Sequence, residues 1–147
     1  EYLNIAILGL GEVENTKNIE SLKKYLYHKD KLVRQSAAIS ILKMDEYAID
    51  DYLIQKLNSE DECVKKIAIN HLSKFPDNAT LDKIRVIYDK AIPVNKISIL
   101  KLFSKISSNR VYSDLQKGLK GENQAVREMA SKYLNYWNRR NSNRVFN

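Results

Sequence analysis

The side chains that most often carry chemistry are few and scattered in this chain. The two histidines, His28 and His71, stand 43 residues apart without a Cys, His, Asp or Glu at metal-ligand spacing, and read as solvated or helix-packing residues. Cys63 is the single cysteine. A helix N-terminus there would lower its thiol pKa, but Glu60, Asp61 and Glu62 oppose the effect, so a reactive thiol is not expected. The carboxylate pairs Asp45/Glu46 and Asp50/Asp51 fall at connectors, with no apolar pocket to raise a pKa for acid–base work. Four glycines in 147 residues leave no Gly-rich phosphate cradle, and no nucleophile-elbow, Walker or dinucleotide pattern occurs. No catalytic, cofactor or metal site is therefore expected, and the chain reads as non-enzymatic.

What remains is charge. The net charge of +7 is unevenly placed: residues 1–73 hold 10 Lys/Arg against 12 Asp/Glu, whereas residues 74–147 hold 15 against 6. A basic second half can meet an acidic protein, nucleic acid or an anionic surface. No stretch approaches the ~18 consecutive apolar residues of a membrane span, and Glu1-Tyr2-Leu3-Asn4 lacks a basic signal-peptide start. One cysteine fits a reducing compartment, and a cytoplasmic location is expected.

The elements that position these groups are set by a repeat. Val33-Arg34, Val64-Lys65, Val94-Asn95 and Val126-Arg127 recur at steps of 31, 30 and 32 residues. Four residues after each valine comes a small side chain (Ala37, Ala68, Ser98, Ala130), and eight after it Ile41, Leu72, Leu102 or Leu134. Self-similarity at this period marks a stack of units, each too small to bury its own apolar face. Only four Gly and two Pro punctuate the chain, and apolar residues recur at three- and four-residue steps, so the class is all-α.

Each period resolves into two helices. The first helices are expected near 18–28, 50–58, 80–91 and 111–120, carrying Leu22/Leu26, Leu53/Leu57, Ile84/Tyr88 and Leu115/Leu119. The second are expected near 31–44, 62–75, 93–107 and 123–138. Ser59-Glu60-Asp61-Glu62 reads as a capping box, Pro93 as a first helical residue, and Thr80 as a cap after Pro76 and Asn78 close the helix before it. Residues 2–10 fit a second helix whose first helix is missing, so the chain is expected to begin inside a longer protein. The repeats then fall near 18–49, 50–79, 80–110 and 111–138, after a partial repeat over 1–17. They form one domain over 1–138, and 139–147 reads as a basic tail.

In these residues the chain resembles the HEAT-repeat family, in particular the short, roughly 30-residue kind seen in phycobilin-lyase-type repeats. The resemblance is carried by Asp30 and Asp61 three residues before the valine, by Val33-Arg34, Val64-Lys65 and Val126-Arg127, by the small residue that follows, and by the Leu10-Gly11 turn. Repeat three has Ala91 and Asn95, and repeat four Asn123, where the pattern has Asp and Arg, which breaks an Asp–Arg ladder beyond repeat two. The resemblance implies a right-handed α-solenoid of about four antiparallel hairpins, with second helices lining its concave side. Most members are protein-binding scaffolds, some bind nucleic acid, and a minority are enzymes such as DNA glycosylases and phycobilin lyases.

The one constellation that suits binding is a basic row on the second helices: Arg34, Lys65 and Arg127, with Lys66, Lys96, Lys101 and Lys132 nearby. The competing structural role is that Arg34, Lys65 and Arg127 bond adjacent turn aspartates or carbonyls. Trp137 is expected in the core and most tyrosines between helices. The function read from the sequence is a scaffold or adaptor module for another protein, acidic in character, with nucleic-acid binding through the basic half as the alternative. Self-association through the uncovered face of residues 2–10 is expected as well.

Overall fold

The computed structural model describes residues 2–13, 15–74 and 76–142. Regular structure among them is helical throughout. The helices gather into two compact units, Glu1–Ala68 and Ile69–Asn147. The first holds α1 (Leu3–Glu12), α2 (Ile19–Lys23, continued by a 3-10 turn over Lys24–Tyr27), α3 (Lys31–Met44) and α4 (Asp50–Lys56). Helix α5 (Glu62–Leu72) runs from the first unit into the second, which continues with α6 (Asn78–Lys90), α7 (Pro93–Lys105), α8 (Tyr112–Leu119) and α9 (Gln124–Asn141).

In the first unit α1 lies along α3. Small residues let the two backbones approach: Gly11 is buried, and a Cβ there would stand 2.9 Å from Ser40 Cα. Ser40 Oγ donates to the Ile7 carbonyl at 2.9 Å, which satisfies a hydroxyl that is 1% exposed. Tyr52 on α4 donates from its hydroxyl to the Leu26 carbonyl at 2.8 Å, tying the first helices of two successive hairpins together.

The second unit repeats the scheme with different chemistry. Gly118 on α8 fits against Ala130 on α9, where a Cβ would come within 2.7 Å of the alanine Cβ. Arg85 on α6 grips Asp114 on α8 with two guanidinium nitrogens, Nε to Oδ1 at 2.9 Å and NH2 to Oδ2 at 2.8 Å. The Trp137 indole donates to the Ile106 carbonyl at 2.8 Å.

The caps differ from the sequence reading in two places. Asp61, rather than Ser59, caps α5: its Oδ1 accepts from Val64 N at 3.3 Å, while Ser59 Oγ accepts from Asp61 N. Asp77, rather than Thr80, caps α6, accepting from Thr80 N at 2.7 Å. An aspartate at the N-cap reaches the free N–H groups of the first turn directly, which outranks a serine two residues earlier. Pro93 does open α7, where its missing N–H is no loss.

The register of repeat three is also corrected. Val94 is 56% exposed, and the buried residues of α7 are Asn95, Ile99, Leu100, Leu102, Phe103 and Ser104. The reason lies at the cap. In α3, α5 and α9 the signature valine is the third helical residue after Asp30, Asp61 or Asn123. Pro93 fixes the first residue of α7 one place later relative to that pattern, so Asn95 becomes the third. Counted from the helix starts, the buried positions are 33, 64, 95 and 126, a step of 31 residues every time. Ser98 is accordingly half-buried and Ile99 fills the place of Ala37, Ala68 and Ala130, each of which is 0% exposed.

The basic tail expected from residue 139 is partly helix. Helix α9 continues to Asn141 because Arg140 donates to the carbonyls of Ser104 and Lys105, and Asn141 Nδ2 to the Trp137 carbonyl at 2.8 Å. Residues 143–147 of that tail lie outside the described residues.

Candidate interaction surface

Apart from Lys66, the candidate basic residues sit at two different places on their helices. Counted from the helix starts, Arg34, Lys65, Lys96 and Arg127 share one position, 31 residues apart, and Lys101 and Lys132 share another, five residues further on. Five residues turn a helix by about 140° beyond a full revolution, so the two sets face apart.

Three of the first set, Arg34, Lys65 and Arg127, are occupied with their own protein. Arg34 NH1 donates to the carbonyls of His28 and Lys29, and its Nε to Asp61 Oδ2 at 2.6 Å. Arg127 NH1 reaches the carbonyls of Gly121 and Glu122, the same two positions relative to itself. Lys65 leaves the surface altogether: its side chain is 2% exposed and pairs with Glu62 at 2.7 Å. A long aliphatic stem makes this affordable when the ammonium keeps an anionic partner. Lys96 Nζ lies 5.5 Å from the Tyr88 ring centre. The open lysines are Lys66, Lys101 and Lys132.

Position Asn95, aligned with Arg34 in the sequence, is 3% exposed and belongs to the interior. The basic residue of repeat three is Lys96, so the basic position continues through all four repeats, while on the second helices the aspartate cap stops after Asp61. A count from the cap rather than from the valine would have found it.

Two surfaces emerge that charge alone does not reveal. Helix α1 shows the first: Tyr2 is 81%, Ile5 61% and Val13 68% exposed, with Leu3 and Leu10 beside them. Their spacing places Tyr2, Ile5, Ala6, Gly9 and Val13 on one stripe opposite Ile7 and Gly11. The second is a cleft in unit two lined by Tyr88, Lys96, Lys117, Lys120 and Asn123. Burial, with the charges of Asp89 and Asp114, pushes the Tyr88 hydroxyl above its ordinary pKa.

No family model, curated protein or solved structure matches the chain.

The other chemistry-bearing residues stay apart. His28 Nδ1 accepts from Asp30 N at 3.1 Å, a local turn bond. Among the described residues no three His, Cys, Asp or Glu side chains gather within metal-binding reach. No helix among them is long and apolar enough to cross a membrane.

Proposed function

We propose that the chain is a HEAT-like α-solenoid module, with right-handed stacking of its hairpins, that binds another protein in the cytoplasm. The uncovered stripe of α1 carries this reading. Tyr2, Ile5 and Val13 stand exposed along one side of α1, opposite the Ile7 and Gly11 side that seats on α3. A contiguous apolar patch of this kind marks an interaction face. Its occupant is an apolar helix face of a partner, because the stripe offers no charge, and Ala6 and Gly9 allow close helix approach. The repeated turn clamp of Arg34 and Arg127 supports the HEAT-like reading.

The nucleic-acid alternative draws less support. Of the seven candidate basic residues, Arg34, Lys65 and Arg127 already hold carbonyls or carboxylates, and a phosphate contact needs a cation that is free to leave its counterion.

The test substitutes Ile5→Glu with Val13→Glu in one variant and Lys66, Lys101 and Lys132 with Gln in another. Photo-crosslinking from position 9, on the same stripe and with open space beside it, should capture a protein in the parent and the lysine variant, and lose it in the first variant. Sedimentation distinguishes a foreign partner from a second copy. Capture lost only in the lysine variant, or salt-dependent duplex binding lost there, would replace this reading with the nucleic-acid one.

A further inference from the structure

The cleft in the second unit holds more cationic groups than the protein neutralises, and the repeat register explains why. It encloses about 470 Å³, within the usual range for small-ligand sites. In the first unit Arg34 meets Asp61, the cap aspartate 27 residues further on. The same two places, 62 residues later, hold Lys96 and Asn123. A carboxamide cannot neutralise an ammonium, and Lys96 rests against the Tyr88 ring.

Two more cations converge there. Lys117 Nζ lies 5.8 Å from the same ring centre and bonds Asp89 Oδ1 at 2.5 Å. Lys120 lines the cleft and makes no ion pair among the described residues. Three ammonium groups thus face two carboxylates, Asp89, already bound to Lys117, and the exposed Glu122.

The remaining polar groups are donors. Tyr88 is 6% exposed and its hydroxyl has no hydrogen-bond partner among the described residues. No side-chain oxygen or nitrogen among them is both fully buried and unpaired, so that hydroxyl keeps access to the cleft it lines. Asn123 Oδ1 accepts from Val126 N at 3.2 Å, which leaves its amide nitrogen as a donor.

We propose that this cleft binds a phosphate monoester, whose oxyanion supplies beside Lys96 and Asn123 the negative charge that the Asp61 carboxylate supplies beside Arg34 in the first unit. A phosphate group carries close to two charges at neutral pH and three acceptor oxygens. Lysines meet it as point charges, and the Tyr88 hydroxyl and Asn123 amide add directional bonds. A lone carboxylate ligand would offer two acceptor oxygens to four donors, Lys96, Lys120, the Tyr88 hydroxyl and the Asn123 amide. The site uses different residues from the α1 stripe, so either reading can fail without the other.

The experiment titrates the full 15N-labelled chain with sodium phosphate at ionic strength held constant with chloride, and then with a capped phosphoserine peptide and its unphosphorylated form. Saturable shifts are expected at the Gly121 amide and the Asn123 side-chain amide with both phosphates, and none with the unphosphorylated peptide. Tighter binding of the peptide assigns the phosphate to a modified side chain; tighter or equal binding of inorganic phosphate assigns it to a free metabolite. Lys120→Gln and Tyr88→Phe, which break no bond among the described residues, should each weaken binding about ten- to a hundredfold, the loss of one hydrogen bond to a charged group. Lys101→Gln should leave it unchanged. Shifts that do not saturate by about 10 mM phosphate, or an equal loss in Lys101→Gln, overturn the proposal.

Discussion

Arg34 Nε donates to Asp61 Oδ2 at 2.6 Å, and through NH1 the same guanidinium holds the carbonyls of His28 and Lys29. One side chain therefore fastens the turn before its own helix and the cap of the next second helix. Both partners are largely shielded, with side chains 19% and 10% exposed. Burial pushes the Asp61 carboxyl up, but the bonds from Arg34 and from Val64 N outweigh it, and the group titrates below its ordinary value.

A carboxyl whose folded pKa is depressed stabilises the fold above its unfolded pKa, and that contribution is lost as pH falls through the lower, folded value. Asp61→Asn keeps the cap and removes the charge. It should cost about 1–3 kcal/mol at neutral pH, and its stability should change less than the parent's below about pH 4. Urea melts across the acid range check both.

Tyr52 shows the opposite sense. Burial, with the Asp61 charge adding to it, pushes its hydroxyl up to about 12. The folded state then holds a proton that the unfolded chain releases near pH 10, so this contribution is complete below pH 10 and falls between about 10 and 12. Tyr52→Phe should blunt that alkaline loss, and should cost about 1–2 kcal/mol at neutral pH by leaving the Leu26 carbonyl unpaired. Alkaline denaturation of the two proteins reads the difference.

Two glycines on α1 should answer the same substitution with opposite signs. A Cβ at Gly9 meets nothing within 4 Å, so Gly9→Ala should stabilise by about 0.5–1 kcal/mol through helix propensity. At Gly11 it would strike Ser40 at 2.7–2.9 Å, backbone included, and Gly11→Ala should destabilise by about 1–3 kcal/mol. Thermal melts of the pair decide.

The corrected register makes a third contrast. Ile99 is 0% exposed and Val94 56%, so Ile99→Ala should cost about 2–5 kcal/mol and Val94→Ala about 0.5 kcal/mol or less. Equal losses would restore the valine-based alignment.

The helices were legible because periodicity and breakers act locally: Pro93 and the Asp30 cap mark boundaries without reference to anything distant. The slip in repeat three came from reading identity before phase, since Val94 carries the right side chain one place away from the buried position. Lys65 was misplaced for a different reason. Whether a lysine stem lies inward depends on what packs around it, which one sequence does not state. The Tyr88 cleft was hidden too, because it arises from a carboxylate that is missing at Asn123 rather than from a motif that is present. The uncovered stripe of α1 was visible in its run of apolar residues, although which of them face outward depends on how Gly11 seats against Ser40.

The constant 31-residue step also bears on how the chain reaches its fold. The side-chain bonds that join separate helices link residues about one period apart: Ser40 to Ile7, Arg34 to Asp61, Arg85 to Asp114, Trp137 to Ile106, at separations of 33, 27, 29 and 31. The entropic cost of closing a loop grows only with the logarithm of its length, and here that length does not grow with the number of hairpins. Bonds at this constant separation keep the loops they close short, and low contact order of this kind goes with fast folding. Within Glu1–Ala68 and within Ile69–Asn147, helices joined by these bonds can therefore settle against each other while the rest of the chain is still unformed.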